Sequence, residues 1–224
     1  MDRILRAKDG WQEAVARALT TVPRPIATDP RLLPRAAVAS DDRPRWNPAD
    51  FPPARRAATL LLLYRGRDAE LTVPLTVRQP DLRAHAGEVS LPGGAVDADD
   101  ASPQAAALRE AWEEIGVPTD AVTLLGSLDE IWIPVSNFRL RPFVGAVDVR
   151  PELVPHTGEV ASIIELPLRL ILDDDAITEH LVSGPGWSLR AGAYRHADQV
   201  IWGATARTLA MFASVLRQAA GDTC

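Results

Sequence analysis

The chain has 224 residues, of which 46% are hydrophobic and 24% are charged, and this mixture is sufficient for one globular domain with a sizeable core. The formal net charge of -6 lacks the basic character on which non-specific nucleic-acid binding depends, so we expect no nucleic-acid partner. A phosphate-bearing substrate would also be repelled, unless metal ions or a local arginine cluster reverse the field.

The sequence carries no sign of secretion or of a membrane segment. Its single cysteine, Cys224, cannot form an intrachain disulfide, which fits a reducing compartment. Residues 1–8 carry charges and are not followed by an apolar stretch, unlike a signal peptide. The longest apolar runs, at Ala57–Tyr64 and Leu209–Leu216, are too short to span a bilayer. We therefore expect a cytoplasmic protein with no membrane partner.

Residues 1–56 are predicted to form a proline-rich N-terminal arm with one short helix. Apolar residues at helical spacing place this helix over Trp11–Leu19. Prolines then recur throughout residues 22–56, where they oppose both a sheet interior and a continuous helix. The segment is either an extended arm that lies over the domain or a mobile leader, and the isolated Trp46 and Phe51 favour an arm that docks.

Residues 57–224 are predicted to form the main domain, in which strands outnumber helices. The clearest helix spans Ser102–Ile115, where Ser102 suits the N-cap, Pro103 the first helical position and Gly116 the C-terminal stop. The strands do not alternate regularly with helices, which favours an α+β fold, or a sheet sandwiched between helices, over a doubly wound parallel fold. The other predicted elements are strands at Ala57–Tyr64, Glu70–Val77, Val122–Ile133, Arg141–Val149 and Val160–Glu165, a helical turn at Leu166–Leu172, a hairpin at Gly184–Tyr194 and a closing helix at Ile201–Leu216.

Three glutamates share one face of the predicted helix over Ser102–Ile115. A helix turns by about 100° per residue, which places Glu110, Glu113 and Glu114 within an arc of roughly 100°. We expect this face to present its carboxylates outwards and the opposite face to pack into the core. The side chains expected to pack into the core are Leu108, Ala111, Trp112 and Ile115.

This acidic face is unfavourable if it serves solubility alone. Glu110 and Glu114 are four residues apart, and like charges at that spacing cost roughly 0.2–0.5 kcal/mol. No lysine is placed to compensate, and acids near the helix C-terminus oppose the helix dipole. Clustered carboxylates suit hard divalent cations, with a solvated acidic face as the alternative. The preceding Leu-Pro-Gly-Gly at residues 91–94 favours the cation, because glycine lets a backbone approach an ion or a phosphate closely.

Gly94, Asp100 and residues 109–117 together resemble the Nudix signature. That signature is a glycine, five residues, an acid, a spacer, and then Arg-Glu-apolar-any-Glu-Glu-any-Gly-apolar. Here Asp100 follows Gly94 after five residues, and Arg-Glu-Ala-Trp-Glu-Glu-Ile-Gly-Val occupies residues 109–117. The chain departs from the pattern in two ways: the first acid is Asp rather than Glu, and the spacer has eight residues rather than seven. We expect Asp100 to serve the loop rather than the metal.

Both departures, and a second motif upstream, resemble the coenzyme A pyrophosphatase subfamily. The upstream motif reads Leu-Thr-Val-Arg at residues 75–78 and Leu-Arg-Ala-His-Ala-Gly-Glu-Val-Ser at residues 82–90, and it leads directly into the Leu-Pro-Gly-Gly turn. Gln79 stands where a serine is usual, and Leu91 where a phenylalanine is usual. The resemblance extends from Ala57 to Leu216 and does not include the proline-rich arm.

The resemblance implies a metal site built from the helix and the glycine turn. Glu110, Glu113 and Glu114 would hold Mg²⁺ or Mn²⁺, with a backbone carbonyl near Gly93 or Gly94 as a further ligand. The metal would neutralise pyrophosphate oxygens and lower the pKa of a bound water, which would attack one phosphorus in line.

Further side chains near the motif are candidates for positioning, substrate binding and proton transfer. We expect Arg109 to fix a neighbouring carboxylate with its planar guanidinium rather than to be an ordinary surface arginine. Arg78 and Arg83 are either loop charges or, with Gly93, binding groups for the substrate phosphates. Glu110, oriented by Arg109, or Glu159 would accept the proton of the attacking water, and a merely exposed Glu159 is the alternative.

The resemblance implies the Nudix fold, an α/β/α sandwich around a mixed β-sheet, and an enzyme that hydrolyses a diphosphate bond. The subfamily implies coenzyme A or its thioesters as substrate, cleaved to (acyl-)4'-phosphopantetheine and adenosine 3',5'-bisphosphate. One alternative is a pyrophosphatase for ADP-ribose or another nucleoside-diphosphate derivative. Another is a non-catalytic, nucleotide-sensing domain, which should lose helical glutamates. The expected partner is thus a small-molecule nucleoside diphosphate, and a homodimer is left open.

Overall fold

The computed structural model of the chain describes residue 4 and residues 8–36, 48–80, 87–184 and 187–221. None of the helices in these ranges is both long and apolar enough to cross a bilayer. The helices are α1 (Trp11–Thr21), α2 (Pro103–Ile115), α3 (Leu168–Ile171) and α4 (Gly203–Ala219). The strands are β1 (Arg35–Ala36), β2 (Arg55–Arg65), β3 (Leu71–Arg78), β4 (Val89–Ser90), β5 (Gly93–Ala95), β6 (Thr123–Ser127), β7 (Ile131–Ile133), β8 (Phe138–Ala146), β9 (Val160–Pro167), β10 (Thr178–Gly184), β11 (Trp187–His196) and β12 (Gln199–Ile201).

A mixed sheet forms the centre of the described structure. Its strand order is β4-β3-β2-β8-β6, with β5 beside β2, β7 beside β8 and β9 beside β3. The β2–β8 pair is parallel, and joins Arg55–Leu63 to Phe138–Ala146. The other pairs within the described ranges are antiparallel. A second, antiparallel sheet has the order β1-β11-β10, with β12 beside β11.

The central strand β2 is covered by helices on both faces. Its Ala58, Leu60 and Leu62 belong to one apolar cluster, together with the buried residues of α2. Its Leu61 and Leu63 belong to the other cluster, which contains the buried residues of α1 and α4. A strand that is buried on both faces reads as a continuous apolar run, as residues 57–64 do apart from Thr59. The predicted α/β/α sandwich around a mixed sheet is confirmed.

Helix α1 contributes to this core and is slightly longer than predicted. Its Trp11, Val15, Ala18 and Leu19 are buried, and it packs against β6 and α4. Gly126 of β6 provides the room, because a Cβ atom there would lie 3.1 Å from the Leu19 side chain. The helix is therefore part of the same packed unit as the central sheet.

The described parts of the proline-rich segment are held against the domain. Asp129 accepts hydrogen bonds of 2.6 Å from the Arg24 guanidinium and from the Ile26 backbone amide. Further along, the Phe51 ring meets the Trp132 ring edge to face, with 5.2 Å between centroids. Trp46 lies outside the described residues, and the division of the chain at residue 56 remains a prediction.

The C-terminal elements differ from the prediction. The hairpin predicted at Gly184–Tyr194 is wrong, because most of these residues form the single strand β11, which pairs with β10. Gly192 marks a close approach rather than a turn, since a Cβ atom there would lie 2.8 Å from the Arg31 carbonyl oxygen. The last helix begins at Gly203 because residues 199–201 pair with β11 as β12.

We expect Leu19→Ala to lower the free energy of unfolding by about 2–5 kcal/mol, since it leaves a cavity between α1 and β6. Urea denaturation followed by circular dichroism measures this loss. Arg17→Ala, at an exposed position of the same helix, is the matched control and should stay within about 0.5 kcal/mol of the wild type. Equal stability of the two variants would show that α1 is not part of the cooperative core.

Candidate active site

The local sequence determines where α2 begins and ends, and so how its glutamates are arranged. The Ser102 hydroxyl accepts a hydrogen bond of 3.2 Å from the Ala105 amide, and Pro103 opens the first turn. Gly116 ends the helix with a φ of 74°, a left-handed conformation that glycine adopts without strain. The predicted helix, its N-cap and its stop are confirmed.

Two glycines bring β5 into direct contact with β2 and with the end of α2. Gly93 pairs with Thr59, and a Cβ atom on Gly93 would lie 2.7 Å from the Thr59 Cα atom. A Cβ atom on Gly94 would lie 2.6 Å from the carboxyl carbon of Glu110. Gly93 has no room for a larger residue because it meets backbone atoms of β2, and a larger residue at Gly94 would displace the Glu110 carboxylate.

Arg109 holds the carboxylates of the helix and the preceding loop together. Its Nε and Nη2 donate to the two carboxylate oxygens of Asp100, both at 3.0 Å. Its Nη1 donates to Glu113 at 2.8 Å and to Glu110 at 3.1 Å. The hydrogen bond from Arg109 is the largest cause that holds the pKa of Asp100 below its ordinary value, and the Asp97 amide supports it. Asp100 therefore braces Arg109 from the loop side.

Glu114 is the most deeply buried carboxylate of the helix, with 4% of its surface exposed. Burial raises its pKa to about 8, the Glu110 carboxylate adds to this rise, and the Arg78 guanidinium opposes it. Burial also raises the pKa of Glu110, although Arg109 opposes that shift. The expectation that all three glutamates face outwards is wrong for Glu114, which is buried where the Gly93 amide of β5 approaches its carboxylate. The last turn of the helix itself contains no basic residue.

The donor atoms fit a hard divalent cation, although the glutamates do not form a ready ligand cluster. In the described ranges, no three acidic, histidine or cysteine side chains are grouped closely enough to hold an ion as they lie. Arg109 binds one oxygen of Glu110 and one of Glu113, and the Gly93 amide donates to one oxygen of Glu114 at 3.4 Å. Carboxylate oxygens are the ligands that Mg²⁺ and Mn²⁺ prefer. A bound cation would place a positive charge beside the buried Glu114 carboxylate.

A cavity of about 680 Å³ lies over the glutamates. Arg78 reaches it from the end of β3, and Glu159 reaches it from the loop before β9. Gln79 holds this loop, because its amide donates to the Glu159 carbonyl at 2.9 Å and its side chain donates to the Thr157 carbonyl at 3.0 Å. Arg83 lies outside the described residues. The cavity is lined by Arg78, Gly93, Gly94, Glu110, Trp112, Glu113, Glu114, His156 and Glu159.

Two residues of this cavity, Trp112 and His156, were not predicted to belong to the site. The prediction that Trp112 packs into the core is wrong, since the side chain is 56% exposed and lines the cavity. On a helical wheel Trp112 lies at the edge of the apolar arc, about 100° from Glu113, and this position was the available signal. His156 is brought in by its backbone amide, which donates to the Glu114 carbonyl at 3.0 Å. No sequence pattern marks it.

Comparison with known proteins identifies the family. A family model described as the NUDIX domain matches residues 53–181. Nudix hydrolase 15, mitochondrial, from Arabidopsis thaliana is 37% identical over 175 residues, which are 75% of this chain but only 61% of that protein. Uncharacterized Nudix hydrolase NudL from Citrobacter koseri is 39% identical over 154 residues, which are 68% of this chain and 78% of that protein. The crystal structure of RenU, a Nudix hydrolase from M. Smegmatis, has 24% identity and a TM-score of 0.45, over 53% of this chain and 74% of that chain.

The raised pKa of Glu114 predicts a pH-dependent effect of Glu114→Gln on the metal-free protein. The unfolded side chain ionises near 4.5 and the folded one near 8, so this carboxylate lowers stability progressively as the pH rises between these values. We expect the melting temperature of the variant to equal that of the wild type at pH 4 and to exceed it at pH 8. Calorimetry in a chelator measures both, with the exposed Glu152→Gln as control. A difference that does not change with pH would contradict the burial argument.

The ion pair between Asp100 and Arg109 predicts the opposite pH dependence. Because the folded-state pKa of Asp100 is lowered, its contribution to stability is present above the ordinary value of 3.8 and disappears as the pH falls below it. Asp100→Asn should lower the melting temperature at pH 7 and converge with the wild type in acid. The exposed neighbour Asp99 supplies the control variant Asp99→Asn, which should melt like the wild type at both pH values. If the two variants melt alike, Asp100 does not brace Arg109.

Proposed function

The chain belongs to the Nudix family of hydrolases, and on that basis we propose that it is a metal-dependent pyrophosphohydrolase of coenzyme A or an acyl-coenzyme A. The products would be 4'-phosphopantetheine or its acyl form, and adenosine 3',5'-bisphosphate. One observation carries the proposal: the three glutamates of α2 lie against the Gly93–Gly94 turn, with Arg78 in the same cavity. Carboxylates for a cation and a guanidinium for phosphate are thus available side by side.

We propose that Glu110, Glu113 and Glu114, with the backbone carbonyl of Gly94, hold Mg²⁺ or Mn²⁺. A bound ion would neutralise the diphosphate oxygens and would lower the pKa of a bound water molecule to near neutral. Arg109 acts as a positioning residue, because its guanidinium is bound to the carboxylates of the helix and to Asp100. This is the role of fixing a carboxylate that the sequence predicts for Arg109.

Two carboxylates are candidates to accept the proton of the attacking water. Glu110 lines the cavity, and burial raises its pKa, which makes its carboxylate a better proton acceptor. Glu159 is exposed at the cavity, and its carboxylate makes no hydrogen bond or ion pair within the described part of the chain. We therefore keep both residues as proposed proton acceptors.

Arg78 is the proposed binding group for the substrate phosphates. Its Nε is buried and has no hydrogen-bond partner among the described residues, and the side chain lines the glutamate cavity. A guanidinium with an unused donor suits a phosphate oxygen. We propose the same role for Arg83, while Gly93 would let the substrate come close to the backbone of β5.

ADP-ribose or another nucleoside-diphosphate derivative remains the alternative substrate. A purely nucleotide-sensing domain is disfavoured, because all three glutamates are present and lie at one cavity. A cytoplasmic location and a homodimer stay predictions.

The testing experiment is product analysis on coenzyme A, 3'-dephospho-coenzyme A and ADP-ribose, with Mg²⁺ and with Mn²⁺. We expect coenzyme A to have the highest kcat/KM, because charge-assisted contacts to its extra phosphate contribute about 1.5–3 kcal/mol each, or about one to two powers of ten. Arg83→Ala should lower the ratio of kcat/KM for coenzyme A to kcat/KM for ADP-ribose, and it should affect the turnover of ADP-ribose less. The control Arg67→Ala, at an exposed position, should leave this ratio unchanged.

Glu114→Gln should remove nearly all activity on every substrate, because the amide keeps the shape of the side chain but loses the charge that a hard cation needs. If Glu114→Gln keeps more than about a tenth of the wild-type turnover under saturating metal, Glu114 is not a metal ligand. Equal kcat/KM values for coenzyme A and ADP-ribose would overturn the coenzyme A assignment and leave the diphosphate hydrolysis standing.

A further inference from the structure

A second cavity, of about 330 Å³, adjoins the glutamate cavity on the α4 side of the central sheet. The two cavities share Arg78, Gly93 and Gly94 in their linings. We call the second cavity the α4 groove, because the first residues of α4, Gly203–Thr205, form one of its walls. Its apolar lining side chains include Val89, Leu91, Ile133, Val135, Phe138 and Leu140.

Thr59 places a buried, unpaired hydroxyl in this groove. Its neighbours on β2, Ala58 and Leu60, pack in the cluster of α2, so that Thr59 faces the opposite side of the sheet. The residue is only 8% exposed and lines the groove. Its Oγ1 has no hydrogen-bond partner in the described part of the chain. A buried hydroxyl without a partner is unfavourable, which points to a polar group of a ligand as the missing partner.

The start of α4 places backbone amides in the same groove. Its N-cap is Trp202, whose side chain makes no capping hydrogen bond, so the first amides of the helix are not capped by that residue. The charged residues in the groove lining are Arg78, at the junction with the glutamate cavity, and Glu88. Apart from these two charged residues, the groove combines aliphatic walls with hydroxyl side chains and backbone amides.

The two aromatic rings of the groove lining each have another partner. The Phe138 ring lies 4.6 Å from the Arg55 guanidinium carbon, and the Trp202 ring lies 6.4 Å from the His180 ring. The rest of the apolar lining is aliphatic, which suits a flexible chain better than a stacked base. Aliphatic walls with a few placed polar groups match a ligand that is mainly apolar and carries amide or carbonyl groups.

We propose that the α4 groove binds the uncharged arm of the substrate, an aliphatic chain interrupted by amides, as in pantetheine and its acyl thioesters. The diphosphate then lies at Arg78, where the groove and the glutamate cavity meet, and the Thr59 hydroxyl bonds an amide or carbonyl of the arm. The inference rests on the proposed function, and it assigns to Val135 and Thr59 a role in substrate selectivity.

The test compares Val135→Asp with Val149→Asp in the full chain. Val135 lines the groove and is 66% exposed, and Val149 is 79% exposed and belongs to the lining of neither cavity, so both variants should fold. We expect Val135→Asp to lower the ratio of kcat/KM for hexanoyl-coenzyme A to that for ADP-ribose by at least about tenfold, because a charge must be desolvated against the arm. Val149→Asp should leave the ratio at the wild-type value. An unchanged ratio in both variants would overturn the proposal.

Thr59→Val separates binding from a structural role. If the hydroxyl serves the substrate arm, the variant should lose about threefold to tenfold in kcat/KM for coenzyme A, the range of one hydrogen bond. Its melting temperature should stay level or rise, because an unpaired buried hydroxyl is removed. A lower melting temperature with unchanged kcat/KM would show that Thr59 is structural and would overturn its assignment.

Titration with hexanoyl-pantetheine, which has no phosphate, separates the groove from the chemistry. We expect the wild type and Val149→Asp to bind it alike and Val135→Asp to bind it at least about tenfold more weakly, a difference of roughly 1.4 kcal/mol. Absence of binding to the wild type, or equal binding by all three, would overturn the groove proposal even if coenzyme A is hydrolysed. If coenzyme A is not hydrolysed at all, the proposed function fails, while the titration still decides whether the groove takes an amide-bearing arm.

Discussion

The hydrogen bonds of Arg109 are the interaction on which the candidate site depends. One guanidinium binds Asp100 through two nitrogens and reaches Glu110 and Glu113 through the third. Without it, carboxylates on adjacent turns would repel each other near a helix C-terminus, where the dipole also disfavours them. Asp100 belongs to the loop between β5 and α2, and the glutamates belong to α2. The hydrogen bonds of Arg109 therefore hold this loop against the acidic face of the helix.

The burial of Glu114 lowers the stability of the metal-free protein. Arg109 does not reach Glu114, which is covered by the sheet and has a pKa raised to about 8. A carboxylate kept in such surroundings lowers the stability of the metal-free protein, and an added cation would relieve that cost. This is a common pattern at functional sites, where groups with perturbed pKa values cluster in a cleft. The buried carboxylate that a bound cation would need is therefore the one that lowers the stability of the metal-free protein.

Strand β2 faces helix α2 with one side of its alternating side chains and the α4 groove with the other. Ala58 packs in the cluster of α2, and the next residue, Thr59, faces the α4 groove. Gly93 packs on both of them, so a single strand pair forms the wall between the glutamates and the proposed arm site. The C-terminal helix α4 is therefore more than a closing element, because its first turn forms part of the substrate-binding surface in our proposal.

Local sequence was enough to determine α2, its caps, the spacing of its glutamates and the glycines before it, because these depend on residues within a few turns of one another. It also predicted the α+β class, since the strands outnumber the helices and do not alternate regularly with them, while the Nudix sandwich followed from the resemblance. Tertiary structure alone decided that Glu114 is buried, that Trp112 is exposed and that Arg78 borders both cavities. It also decided that residues 187–196 form one strand, β11, which pairs with β10. Those outcomes depend on which distant segment packs against each residue, and no periodicity within one segment carries that information.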